Sequence, residues 1–208
     1  MMTSIDPRLF RDVLGRFATG VTVVTVRVPH DDRSVRAAGA AAAGVPAAGA
    51  PVAGAPTVGA PAAGAGAPSR GEAVPATVHG MTVNAFMSVS LEPPLVAVGI
   101  DRNAKSHAAL LAADRFGISV LGLDQRGLSD QFAGRPVPQQ PDPFVLLDGF
   151  PVVDGALAQV VCRRWRAMEA GDHTIFVGEI EALQHRVGDP LLFFGGRYRA
   201  LGSVETVG

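Results

Sequence analysis

Cysteine is almost missing from this chain: Cys162 is the only one in 208 residues. An intramolecular disulfide is therefore excluded, and a reducing compartment is the natural setting. Charge of a dominant sign is missing too, with 18 Lys+Arg against 19 Asp+Glu. No block of like charge marks a nucleic-acid or anionic-membrane partner. No apolar run of 18 residues without Gly or Pro occurs, so a membrane-spanning helix is not expected. The opening MMTSIDPRLFRDVLGRF is charged and amphipathic and has no continuous apolar core, unlike a secretory signal. These absences describe a soluble, cytoplasmic chain. The catalytic signatures are as sparse. There is no G-x-G-x-x-G after a strand, no P-loop and no G-x-S-x-G. His30, His79, His107, His173 and His185 are scattered without ligand spacing, so no metal centre is expected.

What is present divides sharply in composition. Between residues 34 and 76, 43 positions hold 18 Ala, 8 Gly and 6 Pro. Gly recurs every fifth position from Gly39 to Gly64, and Pro does so from Pro46 to Pro61. Such a segment has no large apolar side chain and cannot bury enough surface to offset the entropy of ordering it. It reads as a disordered insertion at about 34–76 within one domain spanning 1–208. The remaining residues suit a single compact core.

The rest is rich in strands. Asp6-Pro7 is a helix start, Leu9, Phe10, Val13, Leu14 and Phe17 share a helical face, and Gly20 is the stop. Val21 to Val28 is a β-branched strand. Strands are predicted at Val78–Ser90 and Leu95–Ile100, separated by Glu92-Pro93-Pro94. A helix capped by Asn103 runs to Ala113, a strand covers Phe116–Leu121, and a helix covers Gln125–Phe132. Gly134 to Pro151, with five prolines, is an extended loop. Ala158–Ala170, Thr174–Gln184 and Leu191–Leu201 complete the strands. Many strands with short helices argue for a mainly β antiparallel barrel.

Four places could carry chemistry. In Gly80–Pro94, GMTVNAFMSVSLEPP, alternation puts Val83, Ala85, Met87, Val89 and Leu91 on one face. Thr82, Asn84, Ser88 and Ser90 lie on the other. That is either an ordinary half-buried strand or a hydrogen-bonding bed for a flat ligand. In Asp101–His107, DRNAKSH, a helix start with Lys105 and Ser106 suits a phosphate, or is a solvated surface helix. In Ala170–Glu179, AGDHTIFVGE, a Gly-Asp turn delivers His173 to a strand. In Phe193–Tyr198, FFGGRY, Gly195-Gly196 signals a hairpin turn beside the only tyrosine.

Taken in order, these four segments, with FATGVTVVT at Phe17–Thr25, resemble the short-chain flavin reductases. These are the small partners of two-component monooxygenases. The resemblance covers the chain apart from the Ala/Gly/Pro insertion, where relatives have a short connection. It implies an FMN-binding split β-barrel, a homodimer and an NAD(P)H:flavin oxidoreductase that uses FMN or FAD with NADH or NADPH and feeds an oxygenase. It implies that Thr82, Val83, Asn84 and Ala85 face the isoalloxazine and that Ser88, Val89 and Ser90 run along the ribityl chain. Lys105, Ser106 and His107 would hold the phosphate. His173 would position the nicotinamide, and Tyr198 would lie near the flavin edge. Two alternatives share the barrel: a flavoprotein that keeps its flavin for another substrate, and a non-catalytic flavin-binding module.

Overall fold

The computed structural model describes residues 5–28, 77–135, 138 and 142–202, and the Ala/Gly/Pro repeat lies outside them. Helix α1 is Pro7–Leu14. Asp6 caps it as expected, its Oδ1 accepting the Arg8 N–H at 2.8 Å, with Pro7 in the first turn. It ends at Gly15, one turn before the expected Gly20, and none of its residues is buried.

The strands are β1 (Thr19–Gly20), β2 (Thr22–Val28), β3 (Thr77–Val83), β4 (Phe86–Leu91), β5 (Pro94–Asp101) and β6 (Arg115–Val120). They continue as β7 (Phe144–Leu147), β8 (Phe150–Val153), β9 (Ala158–Ala170), β10 (His173–His185), β11 (Leu192–Phe194) and β12 (Arg197–Arg199). Helix α2 (Lys105–Ala112) lies between β5 and β6, and α3 (Arg126–Phe132) follows the short 3-10 turn Leu123–Gln125. Seven antiparallel strands form one sheet in the order β3-β2-β6-β9-β10-β5-β4. Its two edge strands, β3 and β4, are consecutive in sequence and separated only by Asn84-Ala85. The sheet therefore curls until its edges meet at that corner, where the Ala85 carbonyl accepts the Gly99 N–H at 2.9 Å. This is the expected barrel. Its main core is aliphatic with two large rings, including Val24, Val98, Ile100, Phe116 and Phe176. A second cluster around Val21, Val23, Leu121 and Leu191 lies beneath the small β1-β11-β12 sheet.

Three expectations are corrected. The strand expected at Val78–Ser90 is two strands on opposite edges of the sheet, so its alternating apolar row is not one buried face. Val83 is buried, but Met87, Val89 and Leu91 are 46%, 48% and 66% exposed. β4 is an edge strand with a bulge between Ser88 and Ser90, and nothing among the described residues covers that row. The loop expected to reach Pro151 ends in a hairpin, β7-β8. It turns on Asp148-Gly149, both at positive φ (48° and 66°), as a two-residue hairpin of the Asp-Gly kind requires. The single span expected at Leu191–Leu201 is shortened and divided into β11 and β12, which meet at the Gly195-Gly196 hairpin turn that the sequence signals.

Cys162 sits in the main core with no exposed surface. Burial, with Glu181 adding to it, pushes its thiol up to about 12, so it is a packing residue and chemically inert in the folded chain.

Candidate functional site

The first half of the site is built where β5 ends. Asp101 Oδ1 accepts the Asn103 N–H at 2.8 Å, and its carbonyl accepts the Ala104 N–H at 2.9 Å. This turn makes Ala104, not the expected Asn103, the N-cap of α2, and Ala104 offers no side-chain acceptor. The first-turn amides of Lys105 and Ser106 are thus left uncapped, which suits an anion. Lys105 is exposed and Ser106 is buried. The His107 N–H closes onto the Ala104 carbonyl at 2.9 Å, and its Nε2 lies 2.8 Å from Thr174 Oγ1. The ring also meets Phe176 edge-on at 5.8 Å between centroids.

The Gly-Asp-His turn docks beside this helix start. The Asp172 carbonyl accepts the Arg102 N–H at 2.9 Å, and His173 stands opposite Asp101 in the β10–β5 ladder. His173 Nδ1 is 2.7 Å from Asp172 Oδ1, a contact that holds the exposed Asp172 carboxyl below its ordinary range. Lys105, Ser106, His107 and His173 are therefore gathered at one corner.

Two histidines near this corner have their pKa lowered. Burial lowers the pKa of His79 from 6.5, with Lys105 adding to the effect. Burial also lowers that of His107, with Arg102 adding and Asp101 opposing. In such a case the unfolded chain takes up the proton first as pH falls. The stability these groups contribute is complete above about pH 6.5 and is lost progressively below it. His79→Gln is expected to flatten the fall in unfolding free energy between roughly pH 7 and pH 5. Urea titrations at several pH values measure it, and an unchanged slope would remove His79 from this account.

The second half lies across β3. Its odd residues, Met81 and Val83, pack into the core together with Ala104 and Ala109 from the α2 region. Its even residues face α3. The Thr82 hydroxyl donates to the Ser129 carbonyl at 2.7 Å, and a Cβ on Gly80 would stand 2.5 Å from the Phe132 ring. Tyr198 reaches the same helix: its hydroxyl is 2.8 Å from Ser129 Oγ and donates to Asp130 Oδ1 at 3.1 Å. Burial raises its pKa, so the phenol stays protonated and able to donate. Arg126 and Arg135 flank its ring, their guanidinium carbons 5.2 and 5.6 Å from the centroid. A small pocket here is lined by Val21, Thr82, Asn84, Arg135, Phe193 and Tyr198.

The structure thus brings Thr82 and Asn84 to Tyr198, and places Ala85 at the barrel corner two residues along β5 from Asp101. Val83 faces the core, so its side chain is not available to a ligand. Ser88, Val89 and Ser90 follow on β4, which runs away from the Asp101 turn; Ser90 pairs with Leu95 at the far end of β5. These three are not gathered with Lys105. Sequence reasoning missed Ser129, Asp130 and Arg135, which no motif marks; only the docking of α3 against β3 and β12 brings them to Tyr198, whereas Phe193, from the FFGGRY segment, faces Tyr198 across the β11–β12 hairpin.

Comparison with known proteins places this geometry. A sequence profile described as flavin reductase like domain matches residues 14–202. A Rhodococcus protein named NADH-dependent flavin reductase is 35% identical over 95% of this chain and 88% of its own. An Agrobacterium fabrum protein named FMN reductase (NADH) SmoA is 37% identical over 93% of this chain and 85% of its own. Among solved structures, flavin reductase PheA2 superposes with a TM-score of 0.71 at 35% identity, covering 96% of this chain and 100% of that one. BorF, the flavin reductase component of a bacterial two-component tryptophan halogenase, gives 0.67 at 31%, covering 96% and 100%.

Proposed function

The chain belongs to the flavin reductase like domain family, and from that premise we propose that it oxidises NADH, passes the hydride to FMN or FAD, and releases reduced flavin to a separate flavin-dependent enzyme. One observation carries the reading onto this chain's own residues. The uncapped start of α2 with Lys105 stands beside His173, and the Thr82–Ala85 stretch turns the barrel corner immediately next to them. A phosphate at the helix start would leave a flat ring system within reach of that corner. Only Ile100 of β5 separates Asp101 from Gly99, about 7 Å of strand.

The chemistry explains why no acid–base pair was found. The flavin accepts a hydride at N5, which needs two rings stacked and aligned with water kept away and no strong acid or base. The residues then bind and orient. Lys105 and the amides of Lys105 and Ser106 hold phosphate, His107 is fixed by Thr174 and Phe176, and Asp172 sets the orientation of the His173 ring at Nδ1. His173 acts as a positioning group for the nicotinamide. His173→Ala is expected to raise KM for NADH about 10-fold while flavin affinity stays within about 3-fold, the size of one lost hydrogen-bonding contact. Steady-state kinetics and flavin fluorescence titration read the two separately.

The exposed apolar side chains support a homodimer. Leu9, Phe10, Val13 and Phe17 on and after α1, Met87, Val89 and Leu91 on β4, and Trp165 and Met168 on β9 are all uncovered in the single chain. Sedimentation analysis tests that. No helix among the described residues is long and apolar enough to cross a membrane, in keeping with a cytoplasmic reductase that reaches its oxygenase by diffusion of reduced flavin. The deciding assay follows NADH consumption with added FMN or FAD at many turnovers. Absence of turnover with either flavin would overturn the reductase reading in favour of a binding module. Flavin retained through gel filtration would instead indicate a flavoprotein acting on another substrate.

A further inference from the structure

We propose that Arg102 receives the diphosphate of NADH, so that the corner holds its two anionic ligands on separate cations, Lys105 for the flavin phosphate and Arg102 for the dinucleotide. The assignment rests on the flavin reductase reading. His173, Asp101 and Ala170 stand opposite one another across β10, β5 and β9, and residues so paired share a face of the sheet. The next row on that face is Ile175, Gly99 and Met168. A Cβ on Gly99 would stand 3.4 Å from that of Ala85, so Ala85 lies over this same face. In the other direction β5 ends at Asp101, and Arg102 follows it. Ala85, His173 and Arg102 are thus met in that order along one surface. A nicotinamide held by His173 with its ring toward Ala85 sends its ribose and diphosphate the other way, toward Arg102.

The Gly-Asp-His turn fixes Arg102 in that place. Its N–H donates to the Asp172 carbonyl at 2.9 Å, and its Nη1 donates to the Gly171 carbonyl at 3.5 Å. These two residues immediately precede His173, so one turn sets both the guanidinium and the imidazole. Two residue steps, at most about 7 Å of chain, separate Gly171 from His173. The span of a nicotinamide riboside is of that order.

The charge balance points the same way. Two carboxylates flank Arg102, and both are engaged elsewhere. Asp101 Oδ1 accepts the Asn103 N–H at 2.8 Å and the Asn103 side-chain amide at 3.2 Å. Asp172 Oδ1 is taken by His173 Nδ1. The exposed Arg102 guanidinium makes no ion pair among the described residues. After burial, the next influence lowering the His107 pKa is Arg102, and for His79 on β3 it is Lys105. The two cations therefore stand on different sides of the α2 start, Lys105 toward β3 and Arg102 toward the turn that opens β10. A flavin phosphate on the α2 amides and Lys105 leaves Arg102 for a second anion. Two anions crowded onto one cation would repel each other, whereas separate cations let both ligands be present together.

Arg102→Ala tests this, with Arg102→Lys as the charge-conserving control; both keep the backbone N–H that bonds to Asp172. Steady-state kinetics at saturating FMN compare NADH with dihydronicotinamide riboside, which carries the same hydride and no phosphate. Dissociation constants for FMN and riboflavin are measured alongside. The expected result is about a 10-fold fall in kcat/KM for NADH, carried by KM. Values for the riboside and the affinities for both flavins should stay within about 3-fold. The competitive inhibition constant of ADP-ribose, which has the diphosphate and no nicotinamide, should rise by the same factor as KM for NADH. Arg102→Lys should recover most of the loss. Equal losses with NADH and the riboside would mean that Arg102 acts by shaping the His173 turn, and would overturn the proposal. A loss confined to FMN binding would make Arg102 a flavin-phosphate ligand and overturn it too, as would unchanged NADH and ADP-ribose constants. Should Arg102→Ala not fold, Arg102→Gln is read by the same ratios on the same terms. Wild-type protein that neither binds flavin nor oxidises NADH would instead bring down the reductase reading itself.

Discussion

Phe176→Ala should lower the unfolding free energy by about 3–5 kcal/mol and the melting temperature by roughly 10 °C. Phe176 is fully buried in the first half of β10, in the cluster that also holds Val98, Ile100 and Phe116. Its cross-strand partners are Val98 on β5 and Ala167 on β9, and neither element can collapse into the void without breaking the ladders on either side of β10. The cost therefore combines lost transfer energy with a retained cavity. The effect reaches the site, because the Phe176 ring is also the edge partner of His107. Removing it frees the first turn of α2, so FMN affinity should fall even at temperatures where the variant stays folded. Thermal unfolding and flavin titration check the two halves; a melting temperature within about 2 °C of wild type would contradict the packing argument.

Lys105→Ala is the second large effect, and it acts on binding. Lys105 is exposed at the start of a helix whose N-cap supplies no side-chain acceptor. Removing its ammonium takes away the mobile cation at that end and leaves the amides, a loss of about 1.5–3 kcal/mol for a charge-assisted contact. FMN affinity is expected to fall about 10- to 100-fold while riboflavin, which has no phosphate, binds as before. The difference between the two flavins is the measurement. Equal losses for both would mean that Lys105 acts through the fold, and the assignment of the phosphate end would fail.

Much of this architecture was legible locally. The Asp6-Pro7 helix start, the β-branched run at Thr22–Val28 and the full length of β9 follow from patterns contained within each element. The turn at Gly195-Gly196 was equally visible as a hairpin signal. Asp148-Gly149 offered the same signal, yet the prolines around it suggested a loop. Pro151 is tolerated in β8 because that strand belongs to a two-stranded hairpin, where no second neighbour needs its N–H. The break at Asn84-Ala85 was not legible. Alternation continues unbroken through it, and what divides β3 from β4 is the closure of a seven-stranded sheet, a long-range event with no local mark. The site divides in the same way. Lys105, His107 and His173 lie in short motifs that could be read directly. Arg135, Asp130 and Ser129 gain their meaning only from α3 lying across β3 and β12.

The buried thiol of Cys162 has a practical consequence. A chain whose only cysteine is fully enclosed, with its thiol pushed up to about 12, is silent toward maleimides while folded. A cysteine introduced at Val187, 94% exposed and outside the residues assigned to flavin, would be the single reactive handle on the native protein. A fluorophore attached there would report the distance to a docked flavin, whose own emission serves as the second dye, without first removing any natural cysteine.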